Sequence, residues 1–317
     1  IDLETDYPII LLDNEKIKLK KVLTTYDLKS FLRREFAIKN LFIDSQKNQI
    51  KEIIKLARSY KDSAQLLIIK KIVKTGDAEI SIKLNFDENG KLKEDKYEVT
   101  ADFENLSIDF FNRQKIKKIS GNLRYSKNKI QITNLETEYQ GLGLFSKKIL
   151  ISKKNENYIV EGVIDSKENI IPKSITNVFI KNENIKNILL SSKNDFNFNL
   201  SKKFKISDLK FNSKIKLKKA EYNNELKIKK YFPNFDNKIT FLDQAININF
   251  EKKILIDGFG NVQVGKKIDE IKYNFVVNKK DIKFDIDLDI NEIPFKIDLL
   301  SFVKKDNEVM KFKIIGE

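Results

Sequence analysis

The chain predicts a mainly β protein with a small α/β amino-terminal part. The expected architecture is a long antiparallel sheet, curled into a groove or taco, with an apolar inner face. Three observations carry this. Apolar and charged residues alternate one for one from Ile282 to Ile290, and the pattern recurs at Ile246–Phe250, Phe196–Leu200 and Ile130–Ile132. A strand sends successive side chains to opposite faces, so each such segment has one greasy and one wet face. The connections between segments are short, which favours a meander of chain neighbours. Long helical spacing is confined to the first quarter, too little to cover about fifteen strands, and a large apolar face left in water must be filled.

In chain order, Ile9–Leu12 and Ile17–Leu19 with Val22–Leu23 read as short strands around the turn residues Asp13 and Asn14. Asp27 is placed to cap a short helix with Leu28, Phe31 and Leu32 on one side. A strand is expected from Ala37 to Asp44. Residues 48–74 carry helical spacing in Ile50, Ile53, Ile54 and Ala57, then Leu66, Leu67, Ile69 and Ile72. Asp62 and Ser63 interrupt it near Tyr60 as a second cap, and Gly76 is expected as the C-cap. A helix here plugs the end of a sheet or acts as a lid.

Strands follow at Glu79–Phe86 and Tyr97–Phe103, joined by a turn at Asp87–Lys91 whose Asn-Gly pair supplies positive φ. Further strands are expected at 116–125, 129–139, 144–152 and 157–164. Gly141–Gly143 is a turn and not a phosphate loop, because no Lys-bearing helix follows. Residues 166–186 are the least regular, with Pro172 and a short helix around Ile175–Phe179. Strands are then expected at 195–200, 203–206, 209–220, 224–230, 237–250, 252–264, 269–278, 281–290, 293–303 and 308–315. The organisation predicted is a strand/helix cap region at 1–76, one part of the β-groove at 77–165, an irregular connection at 166–186 and a second part of the groove at 187–317.

Composition excludes several functions. The chain has no histidine, cysteine or tryptophan. The commonest general base and the usual zinc and thiolate ligands are therefore missing. No serine elbow or glycine-rich dinucleotide turn occurs. The chain is expected to be no enzyme, with no cofactor and no metal. Asp285, Asp287 and Asp289 share a strand face, but a flat strand does not wrap oxygens around calcium, and nearby lysines can neutralise them. Asp269 and Glu270 fall on opposite strand faces and cannot work as an acid–base pair. The net charge is +15, yet only five of the 61 basic residues are arginine, which argues against phosphate and base reading. No nucleic acid partner is expected. No run of about 18 apolar residues is present to cross a membrane as a helix. The start at Ile1, without a signal peptide, suggests a mature region or fragment whose anchor lies upstream.

The apolar face is the chemical signal. Its predicted lining is Ile246, Ile248, Phe250, Ile254, Ile256, Phe284, Ile286, Leu288 and Ile290. Acyl chains need no polar contact there, since each buried methylene contributes about 0.8 kcal/mol.

The phrase Thr25-Tyr-Asp-Leu-Lys-Ser-Phe-Leu32, followed by Ile38-Lys-Asn-Leu-Phe-Ile43, resembles the amino-terminal region of the AsmA-like envelope proteins. The helical segment 48–74, the hairpin beginning at Asp77–Phe86, and Tyr158-Ile-Val-Glu-Gly-Val-Ile164 are similar to the YhdP and TamB branches. That resemblance implies a periplasmic part of an inner-membrane-anchored protein in a Gram-negative bacterium. It implies a bridge-like carrier of phospholipid towards the outer membrane, with phospholipid acyl chains, the membrane and other envelope proteins as partners. The alternative it implies is a scaffold that assembles outer-membrane proteins by binding client strands at sheet edges. It supplies no catalytic residue.

Overall fold

The computed structural model describes residues 1–317 apart from 13–14, 61–63, 94–95, 110–114, 180–181, 204, 224–227, 234, 236, 279–280 and 306–307. The protein is mainly β and antiparallel, with eighteen strands assigned to one sheet. The chain separates into two compact units, Ile1–Tyr139 with Gly143–Gly162 and Leu200–Phe204, and Gln140–Leu142 with Val163–Asn199 and Lys205–Glu317.

In the first unit, β1 (Asp2–Asp6) and β2 (Ile9–Leu12) both pair with β3 (Glu15–Tyr26). Asp2–Asp6, ahead of the first expected strand at Ile9–Leu12, is also strand. Helix α1 (Leu28–Leu32) is capped as expected, with the Asp27 carboxylate accepting from the Ser30 N–H at 3.1 Å. Its Leu28, Phe31 and Leu32 are not buried, however. Next come β4 (Ile38–Ser45), the two-residue β5 (Asn48–Gln49), α2 (Ile50–Tyr60) and α3 (Ala64–Ile72). The long helical segment is thus two helices, and the predicted cap at Asp62 and Ser63 lies outside the described residues. Helix α2 buries Ile54 and packs on β3, β5 and β6. Strands β6 (Val73–Asn85), β7 (Glu98–Asp109), β8 (Lys115–Ser126) and β9 (Lys129–Tyr139) form a meander, and β10 (Leu142–Lys154) follows the turn at Gln140 and Gly141. The Asp87–Lys91 turn forms as expected: Asp87 accepts from the N–H groups of Asn89 and Lys91, and Gly90 has φ 76°.

Gly76 does not cap a helix. It lies inside β6 at φ 122°, in a bulge between Thr75 and Asp77. Matching register slips occur on the neighbouring strands, beside Asn105 on β7, Lys118 on β8 and Asn134 on β9, each at φ 51°. A bulge inserts one residue and resets which face the next side chain joins. The apolar residues of β6 run Ala78, Ile80, Ile82, Leu84 on even positions, and Val73 breaks that parity. The bulge returns Val73 to the same side, where it is buried. On β7 the odd series Val99, Ala101, Phe103 passes to Leu106 and Ile108 in the same way. Polar side chains replace lost ladder bonds nearby: Ser120 Oγ accepts from the Asn105 N–H and Thr137 Oγ1 donates to the Lys117 carbonyl.

The second unit holds β11 (Asn157–Ile170) from Val163 onward, then α4 (Lys173–Phe179) and β12 (Ile185–Ser201) up to Asn199. The stretch 166–186 is therefore largely the end of β11 and a helix. Strand β13 (Ile206–Asn223) runs through the predicted strand 209–220, with Asp208 at φ 52° near its start; of the predicted strand 203–206 only Ile206 joins it, and residue 204 lies outside the described residues. Part of the predicted strand 224–230 lies outside the described residues, and Ile228–Lys230 is a 3-10 turn. Strands β14 (Lys238–Phe250), β15 (Ile254–Val264), β16 (Lys267–Val277) and β17 (Ile282–Ile290) continue the meander. The predicted strand 293–303 is instead a small hairpin of β18 (Lys296–Ile297) and β19 (Phe302–Val303) around a 3-10 turn. Strand β20 (Met310–Gly316) pairs with β17. At the Asp243 bulge of β14, the buried Gln244 donates to the carbonyls of Leu242 and Asn261.

Candidate functional site

The register of β14–β17 aligns the predicted lining residues on one face of the second unit. One row runs Ile248, Ile256, Phe275, Phe284 and Gly316. The next runs Ile246, Gly258, Tyr273, Ile286 and Ile314, and another Phe250, Ile254, Val277 and Ile282. Tyr273, Phe275 and Val277 of β16 belong to the face as much as the nine predicted residues, and Ile215 of β13 pairs with Ile246. Their signal was the same alternation, at Ile271–Val277, one strand over.

Two glycines let this face close up. Gly258 lies directly opposite Tyr273, and Gly316 directly opposite Phe284. A Cβ at either position would collide with the facing ring. The rings thus cover the strand backbone where no side chain stands, a recurrent way of shielding glycine in sheets. Burial pushes the Tyr273 phenol up to about 12, and the Asp257 carboxylate adds to it.

Eight of the nine residues, Ile246, Ile248, Phe250, Ile254, Ile256, Phe284, Ile286 and Leu288, are half-buried. Ile290 is 0% exposed. It sits in a sealed core with Val262, Val264, Phe235, Ile293 and Phe295, against which Leu288 also packs. Ile290 therefore cannot line an open groove. The segments that seal it come from outside the alternating pattern, which is why sequence periodicity placed Ile290 with its neighbours. Phe295 meets Phe312 edge-on at 4.6 Å and Phe232 at 5.3 Å.

Two polar residues pin this seal. Asp269 is buried, and its carboxylate accepts from the backbone N–H groups of Asn291, Glu292 and Ile293 at 2.8–3.2 Å. Lys304 is buried too, its Nζ donating to the Asn291 carbonyl at 2.7 Å. Asp269 occupies a position of apolar parity on β16, which was the available sign of its role.

The opposite face of β17 is wet. Lys313 lies 3.0 Å from Asp285 and 3.9 Å from Asp287, and Lys311 lies 3.9 Å from Asp289. The lysines of β20 thus neutralise the aspartate row, and hydrogen bonding to Asp285 holds Lys313 above the ordinary lysine range. No cluster of metal-ligating side chains exists among the described residues. No described helix is long and apolar enough to cross a membrane.

Comparison with known proteins found no matching family model, no matching curated protein and no matching solved structure.

Proposed function

We propose that the chain is a segment of a bacterial envelope lipid-transfer protein, holding phospholipid acyl chains in a curled apolar β-groove. The observation that carries the proposal is the aligned face of β14–β17. Its large aliphatic and aromatic side chains stand in continuous rows, are half-buried apart from the exposed Ile282 and the sealed Ile290, and have no described helix packed broadly over them. An apolar face of this extent favours an apolar guest. Rows of equivalent side chains offer many sites of similar depth, so a chain can slide with little barrier, each methylene contributing about 0.8 kcal/mol wherever it rests. The likeness of Thr25–Leu32 and Ile38–Ile43 to the AsmA-like proteins supports the same reading. Phospholipid mass spectrometry tests it. Protein stripped of lipid and incubated with phospholipid should retain it, and Ile256→Asp with Phe275→Asp should abolish retention. Absence of bound lipid in the parent protein overturns the proposal.

A second function, binding of client strands at a sheet edge, draws on β20, where Ile314 and Ile315 remain exposed beside Lys311 and Lys313. Crosslinking separates the two. A client peptide marks β20, whereas an acyl probe marks the rows around Ile256.

A further inference from the structure

The helix between β3 and β4 carries greasy side chains that stay in solvent. Helix α1 buries no residue. Leu28, Phe31 and Leu32 are 51%, 62% and 74% exposed, and Phe36 just beyond them keeps one side exposed while its ring meets Phe86 edge-on and covers Gly90. Among them stand Lys29, Arg33 and Arg34, all exposed. Two of the chain's five arginines are adjacent here. Neither has an ion-pair partner among the described residues, whereas Lys39 is neutralised by Asp27 at 2.8 Å. Glu35 is the one acid in the run 28–36.

Unpaired cations interleaved with exposed Leu and Phe match one kind of surface, apolar below and anionic at its rim. A bilayer containing anionic phospholipid is such a surface. The short helix suits it: its apolar side chains can enter the headgroup layer while the guanidinium groups meet phosphate. We infer that the α1 turn, Leu28–Phe36, is a docking point for anionic membrane surfaces. The inference stands apart from acyl-chain carriage, because a protein can dock here without extracting lipid.

The absence of tryptophan makes the site directly readable. In the full chain, Leu32→Trp should show a blue-shifted emission with vesicles of phosphatidylcholine and phosphatidylglycerol. Phe259→Trp, at an exposed position of the second unit, should not. Arg33→Gln with Arg34→Gln should weaken vesicle binding about 30-fold, since each basic residue near such a surface contributes about a factor of five. Lys147→Gln with Lys148→Gln removes the same charge from exposed positions of β10 and should leave binding within twofold or so. Phe31→Ser with Leu32→Ser should cut binding at least about tenfold. All these positions are exposed, so the variants should fold, and circular dichroism checks this. Three results overturn the inference: no blue shift at Leu32, equal shifts at both tryptophans, or equal losses from the arginine and lysine pairs.

Discussion

The two ends of one apolar face in the second unit differ in what lies over them. Around Ile290, Val262 and Val264, the segments bearing Phe235, Ile293 and Phe295 close the face into a dry core. Around Ile248, Ile256, Phe275 and Phe284, the same strands carry the same alternation and stay half-buried. The strand code is the same at both ends except at Asp269. Alternation therefore fixes which side a residue joins, while coverage by other segments decides whether that side becomes core or surface.

Mutation of matched residues breaks or sharpens this contrast most strongly. Ile290→Ala should cost about 3–4 kcal/mol, the transfer loss plus an unfilled cavity. Ile256→Ala should cost only about 1 kcal/mol, because its surroundings are already partly open. Urea unfolding measures both. Equal costs would mean that the two ends are equally packed, and the contrast would fail.

The seal itself is tested next. Asp269→Ala should cost about 2–3 kcal/mol by stranding three backbone donors of the 291–293 turn. Hydrogen exchange at Asn291, Glu292 and Ile293 should rise, while that of Ile256 stays unchanged. Uniform acceleration along β15–β17 would show that the cap and the open face unfold as one.

Filling the glycine under Tyr273 probes the open end. Gly258→Ala should cost about 1–3 kcal/mol, because the ring must leave its place over the backbone. The matching change at Gly143, where an added Cβ meets no atom within 4 Å, should be near neutral in thermal melts. Similar losses at both positions would remove the ring-over-glycine argument.

The smallest effect is electrostatic. The Tyr273 phenol has its folded pKa raised to about 12, mainly by burial. Its contribution to stability is complete below the unfolded tyrosine value of about 10 and is lost as pH rises through about 12. A phenolate absorbance titration should show one late tyrosine, and Tyr273→Phe should remove that step. If Tyr273 titrates with the exposed tyrosines, the open end is wetter than its rows suggest.

Much of the fold was legible in the residues. Ile282–Ile290 alternates and is β17; Asn89-Gly90 makes the tight turn; Asp27 caps α1. The shared face of the nine predicted positions could be named because period-2 spacing is local, although Ile290 on that face is sealed. Less legible were the bulges. Val73, Leu106 and Ile116 look out of phase until Gly76, Asn105 and Lys118 take positive φ and shift each strand by one residue. The Ile293–Val303 segment reads as a strand by composition, yet Asp269 holds the Ile293 N–H and the Lys304 N–H holds the Phe295 carbonyl, bonds that periodicity does not show.

By itself, then, the sequence determined the β class, the antiparallel pairing of most neighbours and the apolar side of most strands, since these follow from side-chain alternation and short turns along a few adjacent residues. Only the tertiary structure decided that Ile290 is sealed, that Ile256 is not, and that Leu28, Phe31 and Leu32 stay in solvent. Burial depends on which remote segments arrive above a side chain, and no local spacing encodes that.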